Sequence, residues 1–252
     1  VRVLSVAMPS TPPFEYQDRV LVYLDLLGWS QLVQRSKNEM TAKHEVDKAI
    51  QKLASFGSTY HALARANPQQ YDEQIGVYIT QASDSLMISC PPAKEHVEVM
   101  LDALSDICTV LLVRARCYAR GALVRGPLHH RIDAYRGVVV GPALVDAVEL
   151  EKAAHHPRIV ISPEARSLVS DHWVRSDPAD GAQFVDFLRR SGDDEQVRRN
   201  CEAALDIVEA KLKSDASAPS LTYKHEWMRR YVNCVIECLG CADQPAESVS
   251  RS

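Results

Sequence analysis

The spacing of apolar and polar residues changes period several times along this chain, and each change marks an element. Val20 to Leu27 is an apolar run broken by one carboxylate, Asp25. Arg19 to Leu27 therefore reads as a strand covered on both faces and central in its sheet. A Gly28-Trp29-Ser30 turn follows, and Trp29 to Arg35 reads as a short helix. Over Thr41 to Ala66, Val46, Ile50, Leu53, Gly57, Tyr60 and Leu63/Ala64 recur at helical spacing, and Asn67-Pro68 stops the run. Two alternating runs, Ile75 to Ile79 and Leu86 to Ser89, predict a hairpin over 74–90 with Asp84 near its tip. Val97, Leu101, Leu104, Ile107/Cys108 and Leu111 mark another helix. Cys117 to Leu128 alternates and carries Gly121 and Gly126, which predicts a strand with a bulge or a close backbone approach.

Residues 129–137, with His129-His130-Arg131, read as a polar excursion. Gly137 to Val140 leads into Gly141-Pro142, where Pro142 suits the first turn of a helix running to about Ala154. Arg158 to Ser162 reads as a short strand, Pro163 to Ser170 as a short helix, and Phe184 to Leu188 as an edge strand. After Gly192 the period is helical throughout. Val197, Cys201, Leu205, Val208 and Leu212 form one stripe; Trp227, Tyr231, Cys234/Val235 and Cys238/Leu239 form another, with Ser220 as N-cap of the second helix. The expected fold is α+β, a mixed or antiparallel sheet flanked by helices, with a C-terminal helical hairpin. The expected division is an arm over 1–18, a sheet domain over 19–192, the hairpin over 193–240 and a tail over 241–252.

Composition narrows the function classes. The chain has 252 residues, 46% hydrophobic and 25% charged, with a net charge of −4. Such a balance offers no general attraction to nucleic acid or to a membrane surface. No apolar run approaches the roughly 20 residues a membrane helix needs. Val1 to Met8 is too short for a signal peptide's apolar region, and a start at Val rather than Met suggests trimming. Seven cysteines fall short of a secreted disulfide scaffold, so a reduced cytoplasmic protein is expected.

The chemistry concentrates in two stretches, Tyr23-Leu24-Asp25-Leu26-Leu27-Gly28-Trp29-Ser30 and Ser83-Asp84-Ser85. A carboxylate inside an apolar strand is costly unless it is paired or binds a cation. One Asp leaving a central strand and another on a hairpin can converge on a divalent metal, and hard oxygen ligands suit Mg²⁺ or Mn²⁺ holding a polyphosphate. Taken singly, a strand-end Asp is more often a turn or capping residue. Backbone N–H groups after Gly28 suit phosphate. Arg116, Tyr118 and Arg120 share a face by strand period and could meet a triphosphate or a base, or merely form a solvated sheet face. Cys234-x3-Cys238-x2-Cys241 lies on one helix face, where core cysteines also belong, and lacks a clear fourth ligand. The adjacent pairs His129-His130 and His155-His156 read as solvated loop.

These stretches together resemble the class III nucleotidyl cyclases over roughly residues 16–190. Tyr23-Leu-Asp25-Leu-Leu-Gly28-Trp-Ser30 is similar to the family's first metal motif, and Ser83-Asp84-Ser-Leu-Met87 to its second. Arg120-Gly121-Ala-Leu-Val-Arg-Gly126 resembles the strand that follows, and Gly141-Pro-Ala-Leu-Val-Asp-Ala147-Val-Glu-Leu150-Glu151 the helix after it. The departures are specific. The family's transition-state Asn and Arg fall at Val145 and Glu149, and its adenine-reading Lys and Asp at Thr80 and Val138. This combination most resembles the pyrimidine cyclases of bacterial Pycsar antiphage defence.

The resemblance implies a cyclase making cyclic UMP or cyclic CMP and pyrophosphate with two divalent cations, Mn²⁺ or Mg²⁺, held by Asp25, Asp84 and the Leu26 carbonyl; UTP is expected over CTP because uracil O4 is an acceptor suited to an arginine or hydroxyl donor. An arginine of the Arg116–Arg125 strand is expected to replace the missing one, Arg120 first because it directly precedes Gly121. Tyr23, Gly28, Trp29, Ser30, Thr80, Tyr118 and Arg116 would bind nucleotide, in a homodimer with its sites at the interface. The product would act on a separate effector. CTP as substrate is one alternative; a non-catalytic nucleotide-binding module is the other. A diguanylate-type cyclase fails because its signature turn is absent around Asp84.

Overall fold

A computed structural model describes residues 14–66, 76–132 and 137–242. The Pro9/Pro12/Pro13 arm, the Asn67-Pro68 stop and the end of the tail lie outside the described residues. Strand β1 (Gln17–Leu27) is followed by α1 (Trp29–Arg35) and α2 (Met40–Ala66). The hairpin β2 (Tyr78–Ala82) and β3 (Ser85–Cys90) leads to α3 (Lys94–Val113) and then β4 (Tyr118–Ile132). β1 pairs antiparallel with both β3 and β4, and the first four strands lie in the order β2-β3-β1-β4. That is a ferredoxin-like βαββαβ arrangement with β1 central. β5 (Gly137–Val140) pairs with the far end of β4, and α4 (Pro142–Ala153) folds back onto the sheet.

Beyond β4 the sheet continues through β6 (Ile159–Ile161), parallel to it. A short helix α5 (Pro163–Arg166) precedes β7 (Val174–Ser176) and β8 (Gln183–Val185). β8 lies between β6 and β7, so the expected edge strand is internal and β7 is the edge. The chain ends in α6 (Asp194–Ser214) and α7 (Pro219–Ala242). α7 begins at Pro219, so Ser220 is inside the first turn rather than its cap. The fold is thus a mixed sheet flanked by helices, with a pair of C-terminal helices.

Strand period divides the core in two. Val20, Val22, Leu24 and Leu26 of β1 point into the larger core, with Met100, Leu101 and Leu104 of α3. Trp227, Tyr231 and Val235 of α7 join the same core, so the hairpin's stripe is integral to the fold. Leu21, Met87, Ala122 and Val124 point the other way, into a smaller core closed by Ala143 and Ala147 of α4. Asp25 continues the Leu21–Tyr23 face and lies where that smaller core gives out. Gly121 permits this arrangement: a Cβ there would collide with the Tyr23 carbonyl oxygen.

The polar excursion expected at 129–137 is corrected. His129 to Ile132 extend β4 and pair with β5. Nor are both histidine pairs solvated. His130 and His156 are buried, the latter stacked on Trp227 at 5.5 Å, while His129 bonds the Glu15 carbonyl at 3.0 Å.

Candidate active site

Three stretches meet at one end of the sheet. β1 carries Asp25 opposite Ser85 of β3 on one side and opposite Arg120 of β4 on the other. Asp84 occupies the two-residue link between β2 and β3, whose first residue, Ser83, has φ 57°. Ser85 Oγ donates to Asp25 Oδ1 at 3.0 Å, and Tyr23 Oη lies 3.0 Å from the same hydroxyl. This chain of hydroxyls orients the carboxylate without neutralising it.

Electrostatics sets Asp25 apart. Burial is the main cause that pushes its carboxyl up, to about 6. The Ser85 bond opposes the rise, the negative charges of Asp84 and Glu151 add to it, and Arg120 counters weakly. Arg120 is not free to pair with Asp25, because its guanidinium is bound by Glu151 of α4. Glu151 is 3% exposed and continues the Ala143–Ala147 face that packs on the sheet. The Arg120 charge and burial both lower the pKa of Lys224 on α7, burial more strongly. The site therefore sets Asp25 and Asp84 near an arginine clamped by Glu151.

The other residues expected here are placed as follows. Gly28 turns the chain out of β1 at φ 81°, which glycine adopts without strain, and a Cβ would meet nothing within 4 Å. α1 has only seven residues, with Ser30 exposed and Trp29 packed against the larger core. Leu26 buries its side chain in that core, opposite Ala119. Arg116 precedes β4 with φ 57° and is exposed, so strand period does not extend to it and the shared face with Arg120 is corrected. Tyr118 is 4% exposed, with its hydroxyl 3.1 Å from His225 Nδ1 on α7 and its ring under Lys211. It is committed to the hairpin rather than to an open pocket.

Thr80 lies against the start of β5: the Gly137 backbone comes so close to it that a Cβ would not fit. Val138 is 39% exposed, Val145 57% exposed, and Glu149 exposed. Cys234 Sγ accepts from Arg175 at 2.8 Å and Cys238 is exposed; the Cys241 side chain is outside the described residues.

Among the described residues no three or more His, Cys, Asp or Glu side chains gather as a metal cluster. What does gather is a pair of carboxylates, one half-buried and without a cationic hydrogen-bond partner. Oxygen donors with uncompensated charge fit Mg²⁺ or Mn²⁺ completed by a substrate's phosphates. Ser85 and Glu151 lie in stretches the sequence singles out, but their bonds to Asp25 and Arg120 were not legible there.

No family model matches the chain, and no curated protein matches it. Solved structures with partial likeness include the adenylyl cyclase CyaB from P. aeruginosa, at TM-score 0.46 and 16% identity, covering 68% of this chain and 94% of that one. A bacterial light-regulated adenylyl cyclase gives 0.45 and 14%, covering 75% and 99%. The monomeric guanylyl cyclase domain of the RhoGC fusion protein from the aquatic fungus Blastocladiella emersonii gives 0.44 and 17%, covering 68% and 95%. None of these three reaches a score of one half.

Proposed function

We propose that the protein is a nucleotidyl cyclase that converts UTP to 3′,5′-cyclic UMP and pyrophosphate. The observation that carries this reading is Asp25: a strand carboxylate with no cationic hydrogen-bond partner among the described residues, near Asp84, at the motif positions the cyclase resemblance names. In the reaction the ribose 3′-oxygen bonds to the α-phosphorus, the bond to the bridging oxygen breaks, and pyrophosphate leaves; the hydroxyl proton passes to solvent. Divalent cations held by Asp25 and Asp84, with the Leu26 carbonyl, would supply charge neutralisation and a more acidic 3′-hydroxyl. The protein's own groups do the rest. Ser85 and Tyr23 hold the Asp25 carboxylate in one orientation. Arg120, clamped by Glu151, presents a fixed cation toward charge that develops on the α-phosphoryl oxygens. The Gly28–Ser30 turn lies next to Asp25 on the chain and suits the phosphates.

Thr80 and Val138 replace an adenine-reading pair with a short hydroxyl and an apolar side chain, which favours a pyrimidine. CTP is the alternative substrate. Exposed Val138, Val140 and Val145 support a homodimer with sites between subunits. A role in antiphage signalling through a separate effector follows from the resemblance alone. A non-catalytic binding module is favoured by one feature, exposed Val145 and Glu149 at the positions of the family's Asn and Arg. Incubation with each of the four ribonucleoside triphosphates and Mn²⁺ separates these readings. Cyclic UMP with stoichiometric pyrophosphate is expected; dominant cyclic AMP would overturn the pyrimidine reading, and nucleotide binding without pyrophosphate would favour the module.

A further inference from the structure

A buried file of polar groups ends at Thr80. Arg19, 3% exposed, donates from Nε to Ser89 Oγ at 2.9 Å and from a terminal nitrogen to the Ser89 carbonyl at 3.1 Å. Its guanidinium also bonds the Gly76 carbonyl and lies 4.6 Å from the Tyr78 ring centroid. Ser89 Oγ, in a fully buried residue, lies 2.8 Å from His130 Nδ1. His130 Nε2 in turn lies 2.9 Å from Thr80 Oγ1. These groups join β1, β3, β4 and β2 into one line across the sheet.

The direction of the line follows from its first member. A guanidinium has donors only. Ser89 Oγ must accept from Arg19, and among the described residues its single hydrogen has one acceptor, His130 Nδ1. The opposite tautomer would leave the Ser89 hydrogen buried with no acceptor, which is costly. So Nδ1 accepts, Nε2 carries the proton, and Thr80 Oγ1 accepts from it. Burial, with the charges of Arg19 and His129, holds His130 down to about 3, so the ring stays neutral and keeps this single proton. Each hydroxyl or imidazole that accepts becomes a stronger donor in the same direction. The Thr80 hydrogen is the last in the line, on a half-buried residue, and has no acceptor among the described residues.

We propose that Arg19, Ser89 and His130 are positioning residues that fix Thr80 as a hydrogen-bond donor, selecting a base that presents a carbonyl oxygen over one that presents an amino group. This rests on the reading of Thr80 as base-facing and sharpens it. Uracil O4 is an acceptor and cytosine N4 a donor; guanine O6 and adenine N6 differ in the same way. Gly137 belongs to the device, since its bare Cα lets β5 close against Thr80.

Nitrogen-15 NMR of the His130 ring in the whole protein tests the direction without any assumption about activity. The Nε2–H tautomer is expected, and a proton on Nδ1 would overturn the proposal. Selectivity is the second readout. The value of kcat/KM should favour UTP over CTP by about tenfold, roughly what one hydrogen bond supplies. Ser89→Ala should bring that ratio toward one by lowering the UTP value, and Ser89→Thr should restore it. A ratio unchanged in Ser89→Ala, or a preference for CTP, would overturn the relay. If none of the four triphosphates is cyclised, the cyclase reading fails by itself. Calorimetric affinities for UTP and CTP then decide the relay, tighter UTP supporting it and equal affinities overturning it.

Discussion

Two regions of this molecule bury carboxylates, and they treat them in opposite ways. Under α7, Asp177 is 3% exposed and receives Arg158 and the Trp227 indole, the latter at 2.6 Å. Asp180 on the same arginine is drawn down to about 2, mainly by that bond. Asp186 is likewise held by Arg175 at 2.7 Å and by the Tyr231 hydroxyl at 2.8 Å. At the end of β1, Asp25 has one hydroxyl and two negative neighbours, and its carboxyl is pushed up instead. A buried charge that exists for stability is paired; one left unpaired at an open strand end is held for something that binds there.

The largest separation between the two regions should come from deleting a carboxylate in each. Asp25→Ala or Asp84→Ala should lower the cyclisation rate by at least about a hundredfold, with the melting temperature unchanged or higher. Asp177→Ala should do the reverse, since it leaves Arg158 buried without its inner partner. A loss of about 3–5 kcal/mol in stability is expected by denaturant titration. If Asp25→Ala destabilised as much as Asp177→Ala, the contrast between the regions would break down.

Arg120→Ala sharpens the comparison within the site. Turnover should fall by about 2.7–4 kcal/mol in activation free energy, with KM little changed. A raised KM at constant kcat would make Arg120 a ground-state phosphate anchor.

The smallest effect is a pH dependence of the metal-free protein. The Asp25 pKa is raised on folding, so its contribution to stability is full below about 4 and is lost as pH rises through about 6. The site is half open, so screening reduces the contribution to roughly 1–2 kcal/mol. Chemical denaturation between those pH values should show a decline that Asp25→Asn abolishes. Persistence of the decline in Asp25→Asn would assign it to another group.

Local pattern carried the placement of β1, α1 and the β2–β3 hairpin, because apolar period and a single carboxylate are properties of contiguous residues. It failed at His129 to Ile132, which read as loop from their polarity but pair with β5. Polar burial depends on partners far along the chain: Ser89 lies 41 residues from His130, and Arg120 lies 31 from Glu151. The aspartates of the candidate site were legible because each stood out against its immediate neighbours. The bonds that hold them were not, since Ser85 to Asp25 spans 60 residues and Arg120 to Glu151 spans 31.

Competition among UTP, CTP, GTP and ATP in one Mn²⁺-containing mixture, run in parallel on the native chain and on Asp25→Ala, tests the central claim most directly. The native chain should yield mainly cyclic UMP with an equal amount of pyrophosphate, and Asp25→Ala should yield neither. Equal cyclisation by both proteins would contradict the account.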